Sequence, residues 1–153
     1  MITKLAIKYG MIIGIGVMAW VIVTHVLVPN LQSLIHSLGT VTFFNLLQFA
    51  GIYLGLKELG RERRDKVSFK EGIKAGVAIS VVYAIAASLF FAGALLLIGP
   101  QFMAGDQMSA PQLPTWKVAL QAFAGLGLGA IFFGLIYSTV ISFFLAKRRS
   151  TES

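Results

Sequence analysis

The residues best suited to chemistry are a few uncharged polar side chains within long apolar stretches. Thr24 and His25 lie near the end of the first stretch, and Asn45 and Gln48 lie three residues apart in the second. Tyr83 is in the middle of the third. Where water is scarce, each polar group needs a partner. They are candidates for a small site that binds an ion, a lipid headgroup or a proton, although the commoner role of such groups is a hydrogen bond between helices.

The groups that an enzyme site would need are missing from the sequence pattern. The chain has no cysteine, which excludes disulfides, thiolate metal sites and cysteine nucleophiles. Its two histidines have no nearby carboxylates, and no Gly-x-Ser-x-Gly motif occurs. The apolar stretches also lack the Asp, Glu, Lys and Arg residues that couple transport to protons in many pumps. We expect a non-enzymatic protein with no catalytic residues, no metal site and no cofactor.

The composition and the distribution of charge indicate a membrane protein. The chain is 57% hydrophobic and 12% charged, with a mean hydropathy of +0.82, whereas soluble domains carry about 25% charged residues. Apart from Lys117, all Lys and Arg residues fall in three segments, at residues 4–8, 57–74 and 147–149. Because such residues favour cytoplasmic loops, both termini are predicted in the cytoplasm. The net charge of +7 therefore indicates topology and lipid contact rather than nucleic-acid binding.

Four stretches have the length and composition of membrane-spanning helices. They predict a single membrane domain over residues 1–153, an all-α four-transmembrane-helix bundle with both termini inside. The predicted helices cover residues 9–28, 40–56, 70–98 and 116–146. The predicted loops are 29–39 and 99–115 on the outside and 57–69 in the cytoplasm. Pro29 ends the first helix, Ser68 and Glu71 predict a capping box before the third, and Trp116 beside Lys117 predicts an anchor at the outer interface.

Small residues recur at intervals of four along these stretches. Gly10/Gly14, Gly51/Gly55, Gly72/Gly76 and Gly125/Gly129 match G-x-x-x-G, and the last stretch has a further stripe at intervals of four, Ala130, Gly134, Ser138 and Ser142. Such spacing lets helix backbones approach closely. We expect these residues to pack helices within the bundle or to form a face for a homo-oligomer. The candidate packing residues are Gly51, Gly55, Gly125, Gly129, Gly134 and Ser138.

Three segments resemble those of a known bacterial group. They are Lys8-Tyr9-Gly10 with Ile12-Ile13-Gly14; Gly51-Ile52-Tyr53-Leu54-Gly55 leading to Val67-Ser68-Phe69-Lys70-Glu71-Gly72-Ile73-Lys74-Ala75-Gly76; and Gly134-Leu135-Ile136-Tyr137-Ser138 leading to Lys147-Arg148-Arg149. The chain resembles the bacterial four-span membrane family catalogued as domain of unknown function 4199. The resemblance implies four helices with both termini inside, and it supplies no activity. The loop at 99–115 is shorter and less acidic than in many members.

The leading functional prediction is a non-enzymatic protein of the bacterial inner membrane. It would be a helix-packing or interaction subunit that self-associates or binds another membrane protein, and its basic ends would contact anionic lipid. The predicted headgroup contacts are Arg61, Arg63, Arg64, Lys66, Lys147, Arg148 and Arg149. One alternative is a small oligomeric transporter or channel that uses the polar residues above. Another is a lipid- or quinone-binding protein with a groove between the second and third helices.

Overall fold

The computed structural model describes residues 1–27, 34–63, 67–99 and 114–150, with side chains described for 1–24, 38–63, 67–99 and 114–145. Over these ranges the regular structure is entirely helical. The helices are α1 (Ile2–Leu27), α2 (Leu34–Glu62), α3 (Phe69–Ile98) and α4 (Thr115–Ser150). Each contains a stretch that is long and apolar enough to cross a membrane. The predicted all-α fold with four membrane-length helices is confirmed.

The helices extend beyond the apolar stretches that predicted them. α1 begins at Ile2, and α2 runs from Leu34 to Glu62, so it includes parts of the loops predicted at 29–39 and 57–69. α4 begins at Thr115 and continues to Ser150. Helical hydrogen bonds are local, so a helix continues into polar sequence as readily as through apolar sequence. Hydropathy marks only the part of each helix that suits hydrocarbon.

Both ends of α3 have local signals that stop the helix. Ser68 is the N-cap: its Oγ accepts from the Glu71 N–H at 3.3 Å, and the Glu71 carboxylate accepts from the Ser68 N–H at 3.1 Å. The predicted capping box is therefore confirmed. At the other end Gly99 has φ of 100°, a conformation that glycine adopts without steric cost. Its N–H donates to the Leu95 carbonyl at 3.0 Å.

The four helices form a diamond in cross-section. α2 and α3 contact each other, and each also contacts α1 and α4, whereas α1 and α4 do not touch within the described residues. The largest fully buried apolar side chains belong mainly to α1, α2 and α3, among them Ile13, Ile52, Leu59 and Ile79. The α3–α4 contact is the most extensive of all. Large apolar side chains such as Leu97 and Leu128 face outward, as lipid contact requires.

Side-chain contacts show which parts of the helices lie at the same height. Ile13 of α1 packs on Gly51 of α2, and the Gln48 side chain of α2 reaches the carbonyl of Ala130 in α4. The Gln48 amide also lies beside Ser80 of α3. All five residues belong to the apolar, membrane-length stretches of their helices.

Candidate functional site

A buried polar junction joins three helices within their membrane-length stretches. Gln48 of α2 is 3% exposed, and its Nε2 donates to the backbone carbonyl of Ala130 in α4 at 2.7 Å. The same Nε2 lies 3.4 Å from the hydroxyl of Ser80 in α3. Ser80 in turn donates to the Gly76 carbonyl at 3.0 Å. One amide group thus ties α2 to both α3 and α4 in the part of the bundle farthest from water.

Gly134 makes this junction possible. A Cβ at position 134 would overlap the side chain of Ser80 and would lie 3.0 Å from Nε2 of Gln48. Without that methyl group, α4 approaches α3 closely enough for the Gln48 amide to reach a main-chain oxygen. Gly134 therefore lets α4 pack closely on α3, and its missing side chain gives the Gln48 amide access to α4.

The contact between α3 and α4 is a series of glycine–serine pairs. Gly72 faces Ser142, Gly76 faces Ser138, and Gly134 of α4 faces Ser80, so that a glycine on one helix meets a serine on the other. A Cβ on any of these glycines would overlap the opposing serine. Farther along, the Ser88 hydroxyl donates across the interface to the Phe123 carbonyl at 3.1 Å. This spacing produces the close backbone approach that small-x-x-x-small motifs favour.

Most hydroxyls in this interface have acceptors within the protein. Ser138 donates to the Gly134 carbonyl of its own helix at 2.5 Å, as Ser80 does to Gly76. Ser142 is different: it is 4% exposed, and its Oγ has no hydrogen-bond partner among the described residues. Because the side chain of Ser142 lies against Gly72, it fills space between the two backbones.

The other predicted packing glycines differ in their surroundings. At Gly51 a Cβ would overlap Ile13 of α1, and at Gly55 it would lie 2.5 Å from Ile79 of α3. These two glycines therefore bring α2 close to its neighbours. At Gly125 and Gly129, by contrast, no described atom lies within 4 Å of the Cβ position. A side chain at either position would therefore extend from α4 without meeting another described helix within that distance.

Asn45 forms a second polar contact, between α2 and α4. The Tyr137 hydroxyl donates to Asn45 Oδ1 at 2.6 Å, and Asn45 Nδ2 donates to the Val41 carbonyl at 2.8 Å. Phe49 packs edge-on against the Tyr137 ring with centroids 5.6 Å apart. Phe133 stacks on the Tyr137 ring with the two ring centroids 6.2 Å apart. The Asn45 and Tyr137 side chains are half-buried, and the two phenylalanines are exposed.

Thr24 and Tyr83 do not join a common polar site within the described residues. Thr24 donates to the carbonyls of its own helix, at 2.9 Å to Trp20 and 3.1 Å to Val21. Tyr83 is 6% exposed and belongs to the apolar core. The side chain of His25 lies outside the described residues. Among the predicted polar group, the structure therefore places Asn45 and Gln48 in contacts between helices.

An ionic cluster that the sequence analysis did not predict joins α1 and α2. Lys8 Nζ donates to both carboxylate oxygens of Glu58, at 2.9 and 2.7 Å, and the Tyr9 hydroxyl donates to Glu58 at 2.5 Å. The Tyr9 ring also packs against Gly55. Opposite charges at the same end of two adjacent antiparallel helices were the available signal.

Two of the predicted headgroup residues have described side chains. Arg61 is exposed. Arg63 is exposed as well, and one of its guanidinium nitrogens lies 3.7 Å from the Glu71 carboxylate. The predictions for Arg64, Lys66, Lys147, Arg148 and Arg149 concern side chains outside the described part of the chain.

The arrangement is suited to holding helices together. Within the described residues, no three His, Asp or Glu side chains converge on a point where a metal ion would bind. The side-chain donors of Gln48, Ser80 and Ser138 have acceptors within the protein. Where α2 meets α3, Ile52 and Ile79 are both fully buried. That part of the α2–α3 contact, where a ligand groove was one alternative, is filled by side chains.

Comparisons with known proteins add no relative. No protein-family model, no curated protein and no solved structure matches this chain. The resemblance to the four-span family remains a prediction, and any proposal about function depends on the geometry of the bundle.

Proposed function

We propose that this chain is a non-enzymatic, multi-pass protein of the bacterial inner membrane that acts as a helix-packing or interaction subunit. The observation that carries the proposal is the Gln48 junction, where a buried amide is used to bind two neighbouring helices. In a transport pathway we would expect such an amide to face water or substrate. The glycine–serine pairs between α3 and α4 support the same conclusion, since they leave little room between the two backbones.

Self-association through α4 follows from the free glycines. Gly125 and Gly129 lie where a Cβ on α4 would meet no described atom within 4 Å. A second membrane helix could approach such a face as closely as α3 approaches the other side of α4. In this proposal, the basic ends of the helices contact anionic headgroups, and both termini are cytoplasmic, as the positive-inside rule indicates.

Native mass spectrometry from a mild detergent tests this proposal. We expect the wild-type chain to retain dimers or larger oligomers together with anionic lipid. Gly125→Leu should shift the distribution to monomers, because the new side chain blocks backbone approach on the free face. The matched control is Gly93→Leu on α3, whose Cβ position also has no described atom within 4 Å. This control should leave the oligomers intact. A wild-type chain that is strictly monomeric and retains neither lipid nor partner would refute the proposal.

A further inference from the structure

The Asn45–Tyr137 contact lies on the lipid side of the α2–α4 seam. Both side chains are half-buried, in contrast to Gln48, which is 3% exposed. α2 and α4 touch far less extensively than α3 and α4 do. Part of the Asn45 and Tyr137 side chains is therefore exposed at the outer surface of the bundle.

At that height the surroundings are hydrocarbon. Asn45 is twelve residues from Lys57, the nearest formally charged residue of α2. A helical rise of about 1.5 Å per residue places it about 18 Å along the axis from that charge, inside a hydrocarbon layer about 30 Å thick. Water is absent at this depth. A donor or acceptor without a hydrogen-bond partner therefore costs free energy here, unless a lipid-soluble molecule supplies the partner.

Asn45 has such a group. An asparagine amide has two N–H donors. One of them is used on the Val41 carbonyl at 2.8 Å, and the amide oxygen accepts from Tyr137 at 2.6 Å. No second bond from Nδ2 is formed within the described residues. The free donor selects a ligand with a hydrogen-bond acceptor.

The neighbouring rings and the absence of charge narrow the ligand further. Phe49 and Phe133 flank Tyr137 and are 40% and 44% exposed, so that they offer flat aromatic surface to a planar ring. α2 has no formally charged residue between residues 38 and 56, and α4 has none between 118 and 146. A phospholipid carries its phosphate at the interface, whereas a neutral ring lipid can place its head at this depth.

The face of α4 beside the seam has room for an apolar tail. Gly129 precedes Phe133 and Tyr137 at intervals of four on one stripe of α4, and no described atom lies within 4 Å of its Cβ position. This stripe therefore has no side chain at a point two turns from the polar pair. An unbranched or isoprenoid chain can lie along this face of α4.

We propose that the α2–α4 seam binds a lipid of the isoprenoid-quinone class. A ring carbonyl accepts the free N–H of Asn45, the ring packs against Phe49 and Phe133, and the tail runs past Gly129. The proposal concerns binding and includes no electron transfer. It goes beyond the packing role proposed above. Because the tail and a second copy of the chain would both use the α4 face at Gly129, they exclude each other at that position.

Photolabelling of the full chain in phosphatidylcholine nanodiscs tests this site. The probe is an azido-benzoquinone with a short alkyl tail, with decylubiquinone as competitor. We expect label on the α2 and α4 peptides that contain Asn45 and Tyr137, and we expect the competitor to remove it. Asn45→Leu should weaken competition about fivefold to tenfold, the usual effect of losing one hydrogen bond. The control Thr139→Val changes a lipid-facing hydroxyl whose only bond is to its own helix, at the Leu135 carbonyl, and should bind as wild type.

A second variant keeps the test decisive if Asn45→Leu does not fold. Tyr137→Phe preserves the ring but removes the donor that orients the Asn45 amide, so it should also weaken competition. Label spread over all four helices in proportion to their exposed surface would overturn the proposal. Equal competition in wild type, Asn45→Leu and Tyr137→Phe would do the same. Native mass spectrometry of the same samples reports self-association separately, so the two proposals can fail independently.

Discussion

Adding one methyl group at Gly134 should destabilise the bundle measurably. In Gly134→Ala the new Cβ overlaps the Ser80 side chain and lies 3.0 Å from Nε2 of Gln48. α4 must then move away from α3, or Ser80 and Gln48 must give up their positions. Either response weakens the bond between Gln48 and the Ala130 carbonyl.

The size of the effect follows from two opposing terms. Overpacking a close contact costs about 1–3 kcal/mol, and replacing glycine with alanine in a helix returns up to about 1 kcal/mol. We therefore expect Gly134→Ala to lower the free energy of unfolding by about 1–2 kcal/mol. Gly125→Ala is the matched control, since its Cβ position is open. It should be neutral or slightly stabilising.

The assay is reversible unfolding from mild detergent into SDS, followed by far-UV circular dichroism. Ser80→Gly in the Gly134→Ala background should restore part of the lost stability, because it removes the side chain that the new methyl group meets. A Gly134→Ala variant as stable as Gly125→Ala would show that the α3–α4 contact is not as close as the structure describes. If Ser80→Gly restored no stability, the same conclusion about the α3–α4 contact would follow.

Three further predictions concern other contacts and the topology. Gln48→Leu should lower the free energy of unfolding in the same assay by about 0.5–1.5 kcal/mol, which is typical of one hydrogen bond between membrane helices. An unchanged free energy of unfolding would mean that the amide does not join α2 to α4. Glu58→Gln should lower the melting temperature because it leaves Lys8 without its counter-ion, and Lys8→Met in that background should recover part of the loss; a loss that persists would argue against the pair. The chain has no cysteine of its own, so single cysteines at Thr3 and Lys117 can be labelled with a membrane-impermeant thiol reagent. Thr3→Cys should react from the cytoplasmic face and Lys117→Cys from the opposite face. Reaction of both from the same face would contradict the predicted topology.

The number and approximate position of the helices were predictable because hydrocarbon selects composition directly. A run of about 20 apolar residues bounded by charge has few other uses. The capping box at Ser68 was equally accessible, since its signal is contained in four consecutive residues. Such features depend on local sequence and on the solvent, so no knowledge of the tertiary arrangement was needed.

Helix partners were not predictable in the same way. Gly72/Gly76 and Gly125/Gly129 have identical spacing, yet the first pair packs against serines of α4 and the second meets no described atom. Spacing reveals that a helix has a bare face but not which helix covers it. The interaction of Asn45 with Tyr137 also depends on the diamond arrangement, which brings α2 beside α4.

Water access to Ser80 distinguishes packing from transport. If the polar groups deep in the bundle hold helices together, they do not line an aqueous pathway. In liposomes, Ser80→Cys should not react with a membrane-impermeant, charged thiol reagent added to both sides, whereas Thr3→Cys should react fully. Modification of Ser80→Cys at a rate close to that of Thr3→Cys would show that water reaches the Gln48 junction, and would contradict the account.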